Sequence, residues 1–257
     1  MLGIGVVLSG GGARGIAHLG VLQGLDEIGI RPDILSGVSA GALIGALYAA
    51  GHSPEHILEM VKTHTSTSLV RMILSPSGLF TPAGLGKLLK ESIPHDSFDQ
   101  LQIPLYVTAT DIGSGESVTF SEGQLYPVLI GSSSVPGLFT PVKFGQRYLV
   151  DGGVRDNLPV DCIRDKCRKI LGSHVNKLYH DHPEQLGRFQ VLEKSFHLAV
   201  ANTVAAHALQ CDIFLEPELQ GHQMFDMRHA DQLFKAGYDA VLKQKELLKT
   251  WVDPRKK

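Results

Sequence analysis

One short stretch constrains this chain more than any other. Gly37-Val38-Ser39-Ala40-Gly41 sits between an apolar strand-like run at 34–37 and a helix-like run of small residues at 40–50. A strand that becomes a helix within so few residues leaves no space for side chains at the corner. Glycines two positions either side of the serine permit the turn, and the turn pushes the serine oxygen clear of the backbone. Such a unit belongs to an α/β sheet, with the serine at the carboxyl end of a strand.

The remaining pattern agrees with that requirement. Residues 4–9 read as the first strand. Residues 15–28 read as a helix carrying Ile16, Leu19, Leu22 and Leu25 on one face. Ser53-Pro54 reads as a helix N-cap followed by proline at the first helical position, opening a helix that runs to about residue 64. Further strands are expected at 104–111, 117–121, 148–150, 169–175 and 212–216, and long helices at 184–210 and 231–251. Alternating strands and helices predict a mostly parallel sheet covered on both faces. The 257 residues show no composition shift, repeat or low-complexity tract, so a single domain over 1–257 is expected.

Composition narrows the function class. A net charge of −2 offers no basic footprint for nucleic acid. No apolar run reaches the roughly 18 residues that a spanning helix needs. Residues 1–9 lack a basic n-region and read as a buried strand, not a leader. Cys162, Cys167 and Cys211 are odd in number and lack C-x-x-C spacing. They are expected to be reduced thiols of a cytoplasmic protein, without a zinc site.

The elbow predicts nucleophilic chemistry. A serine hydroxyl attacks only when a base takes its proton, and Ser39 is the candidate. The Ala40 N–H, at the start of the next helix, is placed to receive an oxyanion. A second loop, Gly10-Gly11-Gly12-Ala13-Arg14-Gly15, follows the first strand. Its Gly11 and Gly12 N–H groups are expected to face the same oxyanion, and losing one such donor costs about 3–4 kcal/mol. Arg14 either holds the loop in shape or adds positive potential. Gly10, Gly12 and Gly15 also fit a dinucleotide fingerprint, but the acid it requires is misplaced. Asp33 follows Pro32 and precedes its strand, at the wrong end of the sheet.

Asp151 is the expected base. It ends a strand, and Gly152 and Gly153 turn the chain beneath it. To accept a proton its carboxyl must be desolvated, which raises its pKa. Asp111 is the competitor, read as a carboxylate that fixes its own turn. Twelve histidines leave a serine–histidine–aspartate triad open, with His174 best placed; His18 is expected to pack or cap. His180 and His182 form an H-x-H pair in a polar loop with no carboxylate–histidine framework around it for a metal.

In order and spacing, the glycine-rich loop, the elbow and Asp151-Gly152-Gly153 resemble the patatin-like phospholipases, the bacterial group most nearly. Further matching stretches are Ala109-Thr110-Asp111-Ile112, Ser134-Val135-Pro136-Gly137-Leu138-Phe139 and Asp151-Gly152-Gly153-Val154-Arg155-Asp156-Asn157-Leu158-Pro159. The likeness covers about residues 4–160 and fades beyond. It implies a three-layer α/β/α sandwich and a Ser39–Asp151 dyad without histidine. It also implies an oxyanion region built from Gly10, Gly11, Gly12 and Arg14, no metal or organic cofactor, and hydrolysis of lipid acyl esters. The alternatives are a soluble small-acyl esterase or thioesterase, and a non-catalytic regulatory protein of the same fold. An apolar flap or plain core over 67–82 is a further expectation. The last helix reads first as a docked terminal helix with a solvated face, and contact with an anionic membrane through Lys243, Lys245, Lys249 and 255–257 is its alternative. The sequence sets no oligomeric state.

Overall fold

The computed structural model describes residues 2–64, 82–179, 184, 186–224 and 226–252. Apolar runs long enough for a buried parallel strand form the centre of one sheet. There β1 (Leu2–Leu8) pairs in parallel with β2 (Ile34–Val38) on one side and with β7 (Cys167–Ser173) on the other. Outside these, β3 (Leu105–Asp111) joins β2 and β8 (Ile213–Leu215) joins β7, both parallel. Three antiparallel strands complete the described sheet: β4 (Glu116–Phe120), β5 (Val142–Phe144) and β6 (Arg147–Asp151).

Alternation along the strands separates two cores. Val6, Leu8, Leu35 and Leu105 enter the larger one, whereas Val7, Ile34 and Ile170 enter the smaller. The larger core is roofed by α1 (Ile16–Ile28), α2 (Ala40–Ala49), α3 (Pro54–His64), α4 (Pro82–Ser92) and α5 (Tyr126–Ser132). The smaller is covered by α6 (Asp161–Arg164) and α7 (Arg188–Ala208), through Ile163, Val200 and Val204. The result is the expected three-layer α/β/α arrangement. The expected helix over 231–251 is broken at Gln244 into α8 (Ala230–Lys243) and α9 (Lys245–Lys249). The helix expected over 184–210 begins only at Arg188. The segment at 67–81, His180, His182 and residues 253–257 lie outside the described residues.

The α1–α8 crossing depends on missing side chains. A Cβ on Gly20 would overlap the Phe234 carbonyl, and one on Gly237 would overlap the Ala17 carbonyl. Backbone cannot swing aside as a flexible side chain can, so Gly237→Val must separate the helices. Overpacking of this kind costs about 1–3 kcal/mol, and this site is expected at the upper end. Thermal unfolding should show a clearly lower midpoint; an unchanged one would mean that the helices slide freely.

Candidate active site

Ser39 occupies φ 52° and ψ −125°, and is the one non-glycine residue with positive φ among the described residues. The elbow can close because Gly41 has no side chain: a Cβ there would collide with the Leu8 and Ser9 carbonyls. The Ser39 N–H donates to Ser132 Oγ at 2.9 Å, and Ser132 Oγ donates in turn to the Thr108 carbonyl at 2.6 Å. The strained residue is therefore tied to both β3 and α5.

Sheet topology explains why Asp151 lies beside it. Val107 and Thr108 pair with both β2 and β4, while residues 109–111 pair with both β4 and β6. No residue has two partners on one edge. Thus β4 lines one edge of β3, and β2 and β6 share the other edge, meeting end to end. Val38 partners Thr108 and Asp151 partners Ala109. The ends of the two strands stand opposite consecutive residues of β3. Gly152 fills the join, where a Cβ would stand 2.6 Å from Val38 Cγ2.

The Asp151 carboxyl is buried with little solvent to stabilise its charge. Burial lifts its pKa from 3.8 to about 6, while hydrogen bonds from the Ser39 side chain and the Gly153 N–H pull it the other way. The Gly153 N–H lies 2.8 Å from Asp151 Oδ1. The result is a carboxylate that is ionised at neutral pH yet basic enough to take a proton. Asp111 has the opposite character. Burial raises its pKa, but the Tyr148 and Gly113 N–H groups, the Ser114 hydroxyl and the Arg147 charge outweigh it and hold the pKa low. It fixes its turn, as expected.

The glycine loop separates its expected contributors. The Gly10 N–H is committed to Asn157 Oδ1 at 3.1 Å. Those of Gly11 and Gly12, and that of Ala40 at the start of α2, have no partner among the described residues. Gly12 has φ 57°, a conformation costly for any other residue, and a Cβ there would strike the Met224 carbonyl. Arg14 points elsewhere. Its Nη2 pairs with Glu193 Oε1 at 2.7 Å, its Nε donates to the His222 carbonyl at 2.8 Å, and its Nη1 donates to Asn176 Oδ1 at 3.3 Å. It holds the loop in shape rather than facing the serine.

Ser39, Asp151, Asn157 and Gly10–Gly12 line a cavity of about 140 Å3. Its walls are apolar, with Val135, Pro136, Leu138, Val154, Leu192 and Phe196. His197 also reaches it from α7; burial, and then the Arg14 and His174 charges, depress its pKa to about 4, so it is neutral. Of the histidines considered in sequence, the two that are described, His18 and His174, do not join Ser39. His18 is fully buried, with Nδ1 2.9 Å from Ser173 Oγ and Nε2 2.8 Å from the Ser9 carbonyl. His174 pairs with Glu216 at 3.1 Å and lies outside the cavity lining. Ser132 and the α7 residues Leu192, Phe196 and His197 have no motif to announce them in sequence.

The profile of the family described as Patatin-like phospholipase matches residues 6–162. The chain belongs to the patatin-like phospholipase family. An uncharacterised NTE family protein of Mycobacterium bovis is 33% identical over 160 residues, covering 61% of this chain and 44% of its own. The lysophospholipase NTE1 of Saccharomyces cerevisiae is 32% identical over 191 residues, covering 72% of this chain and 11% of its own. The chain thus spans less than half the length of these curated relatives. The human GIVD cytosolic phospholipase A2 structure superposes with TM-score 0.57 at 11% identity, covering 96% of this chain and 59% of that one. The patatin-like fold therefore extends beyond the profile match, into the region holding α7 and α8.

Proposed function

We propose that this patatin-like chain hydrolyses carboxylic esters of lipids, in the manner of a phospholipase A or lysophospholipase. Ser39 is the nucleophile and Asp151 the base. The observation that carries the reading is Ser39, on its strained turn, lining one apolar cavity together with the buried Asp151 carboxyl of raised pKa. Asp151 takes the hydroxyl proton as Ser39 Oγ bonds to the ester carbonyl carbon. The Gly11 and Gly12 N–H groups, with that of Ala40, hold the oxyanion. The alcohol leaves with the proton from Asp151, and a water molecule repeats the sequence to release the acid. The residues require no metal or organic cofactor for these steps.

The walls support a lipid acyl chain over a polar substrate. Leu192 of α7 is half exposed and also lines the cavity, so the apolar wall reaches the surface there. This supports peripheral contact with a lipid surface. Among the described residues no helix is long and apolar enough to cross a membrane. The enclosed part of the cavity is small, which favours a small-acyl esterase as the second reading. Hydrolysis that rises with acyl length supports the lipid reading, and a preference for acetyl or butyryl esters supports the other.

The direct test is covalent. A fluorophosphonate probe is expected to phosphonylate the folded protein once, on the peptide carrying Ser39. An adduct elsewhere, or none on well-folded protein, overturns the assignment.

A further inference from the structure

Asn157 follows the Asp151-Gly152-Gly153 turn and is only 4% exposed. Neither the dyad nor the glycine loop accounts for all of it. Its Oδ1 accepts the Gly10 N–H, and an N–H can be met only by the oxygen, so the amide orientation is fixed. No described atom accepts a hydrogen bond from Nδ2. The described buried side-chain atoms sealed from solvent without a partner are Ser133 Oγ and His197 Nε2. Nδ2 is not among them, so it meets open space, and the space that Asn157 lines is the cavity of Ser39 and Asp151.

Two glycines measure how close the amide stands to the reacting pair. A Cβ on Gly10 would lie 2.7 Å from Asn157 Oδ1 and 3.1 Å from Ser39 Cβ. A Cβ on Gly153 would lie 2.9 Å from Asn157 Oδ1 and 3.1 Å from Asp151 Oδ1. The amide is therefore packed between the backbone positions that flank both side chains. The next residues brace it. Leu158 is fully buried, its N–H donates to Asp156 Oδ1 at 3.1 Å, and its carbonyl lies 2.7 Å from His207 Nδ1. His207 also stands 3.3 Å from Asp156 Oδ1.

We infer that Asn157 is a catalytic residue that donates from Nδ2 to the ester oxygen in the cavity. It supplies a side-chain donor beside the Gly11 and Gly12 N–H groups. The inference rests on Ser39 being the nucleophile. A donor held in place beforehand acts most strongly when charge develops on the oxygen, so its loss falls on kcat rather than KM.

Asn157→Asp separates this role from a structural one. It keeps an oxygen for the Gly10 N–H and replaces the NH2 donor. Asn157→Ala removes both. Each variant is compared with the natural protein for turnover of a p-nitrophenyl ester above pH 7.5, fluorophosphonate labelling rate and thermal midpoint. Asn157→Asp is expected to keep its fold and nearly its KM, and to lose about 10²–10³-fold in kcat and in labelling rate. If Asn157→Asp labels and turns over within threefold of the natural protein while Asn157→Ala melts early, the amide is only a brace and the inference fails. If the natural protein neither labels nor turns over, the nucleophile reading fails and takes this one with it.

Discussion

Ser39→Gly is expected to be inactive and more stable than the natural protein. The backbone at Ser39, φ 52° and ψ −125°, suits glycine and strains any residue with a Cβ. Strain of this kind costs about 1–3 kcal/mol. Glycine relieves it but gains freedom in the unfolded chain, worth about 0.5–1 kcal/mol in the other direction. The net is a gain of about 1 kcal/mol, or about 2–4 °C in the unfolding midpoint for a chain of this size. Turnover falls by about 10⁴-fold or more, because no other group takes over from a missing nucleophile. Calorimetry beside ester hydrolysis checks both halves. If activity and stability fall together, the elbow is not strained and the serine also serves packing.

Asp151→Asn is expected to show a similar split with a different pH signature. As the proposed base, Asp151 would act only when ionised, and burial raises its folded pKa to about 6. The kcat/KM profile should therefore climb about tenfold per pH unit below 6 and level off above it. Stability runs in the other direction. An acid whose folded pKa is raised, here from 3.8 to about 6, ionises less readily folded than unfolded. Its contribution is most favourable below pH 4 and is lost as pH rises through 6, leaving a cost of about 3 kcal/mol above that. Asparagine never carries that charge and its oxygen still accepts the Gly153 N–H. Asp151→Asn should be at least as stable as the natural protein at pH 8, with its advantage gone at pH 4, and about 10³-fold or more less active. A profile whose acid limb stays near 4 would place the working base elsewhere.

What could be read in advance follows from steric necessity. The elbow, the glycine loop and the Asp151 turn were legible because each needs glycine at fixed offsets, and few other folds need all three. The strands of the parallel core were legible because burial on both faces leaves continuous apolar runs such as Val6–Leu8 and Ile34–Leu35. Less regular elements escaped: α5 and β5 are short and carry mixed patterns, and α4 opens at the end of the irregular stretch that closes on Pro82. Ser132 and Asn157 escaped as site residues because a buried serine or asparagine has no spacing rule, and its role appears only with its partners across the fold. Arg14 shows the converse. Its place in the loop suggested the oxyanion, but Glu193 and Asn176, more than 160 residues further on, claim its guanidinium.

The end-to-end meeting of β2 and β6 along one edge of β3 makes the reacting pair indifferent to chain length. Serine and aspartate are spaced by a single rigid strand, as two beads are by the thread beneath them. The loops that connect β2, β3 and β6 can be lengthened without altering that spacing. Turns such as the one at Gly113–Gly115, on the exposed edge between β3 and β4, are the natural places for such insertions. The cavity walls are then free to diverge while Ser39 and Asp151 stay registered on β3. A scaffold of this kind lends itself to exchanging whole pocket segments between relatives, with Ser39 and Asp151 as the fixed points of alignment.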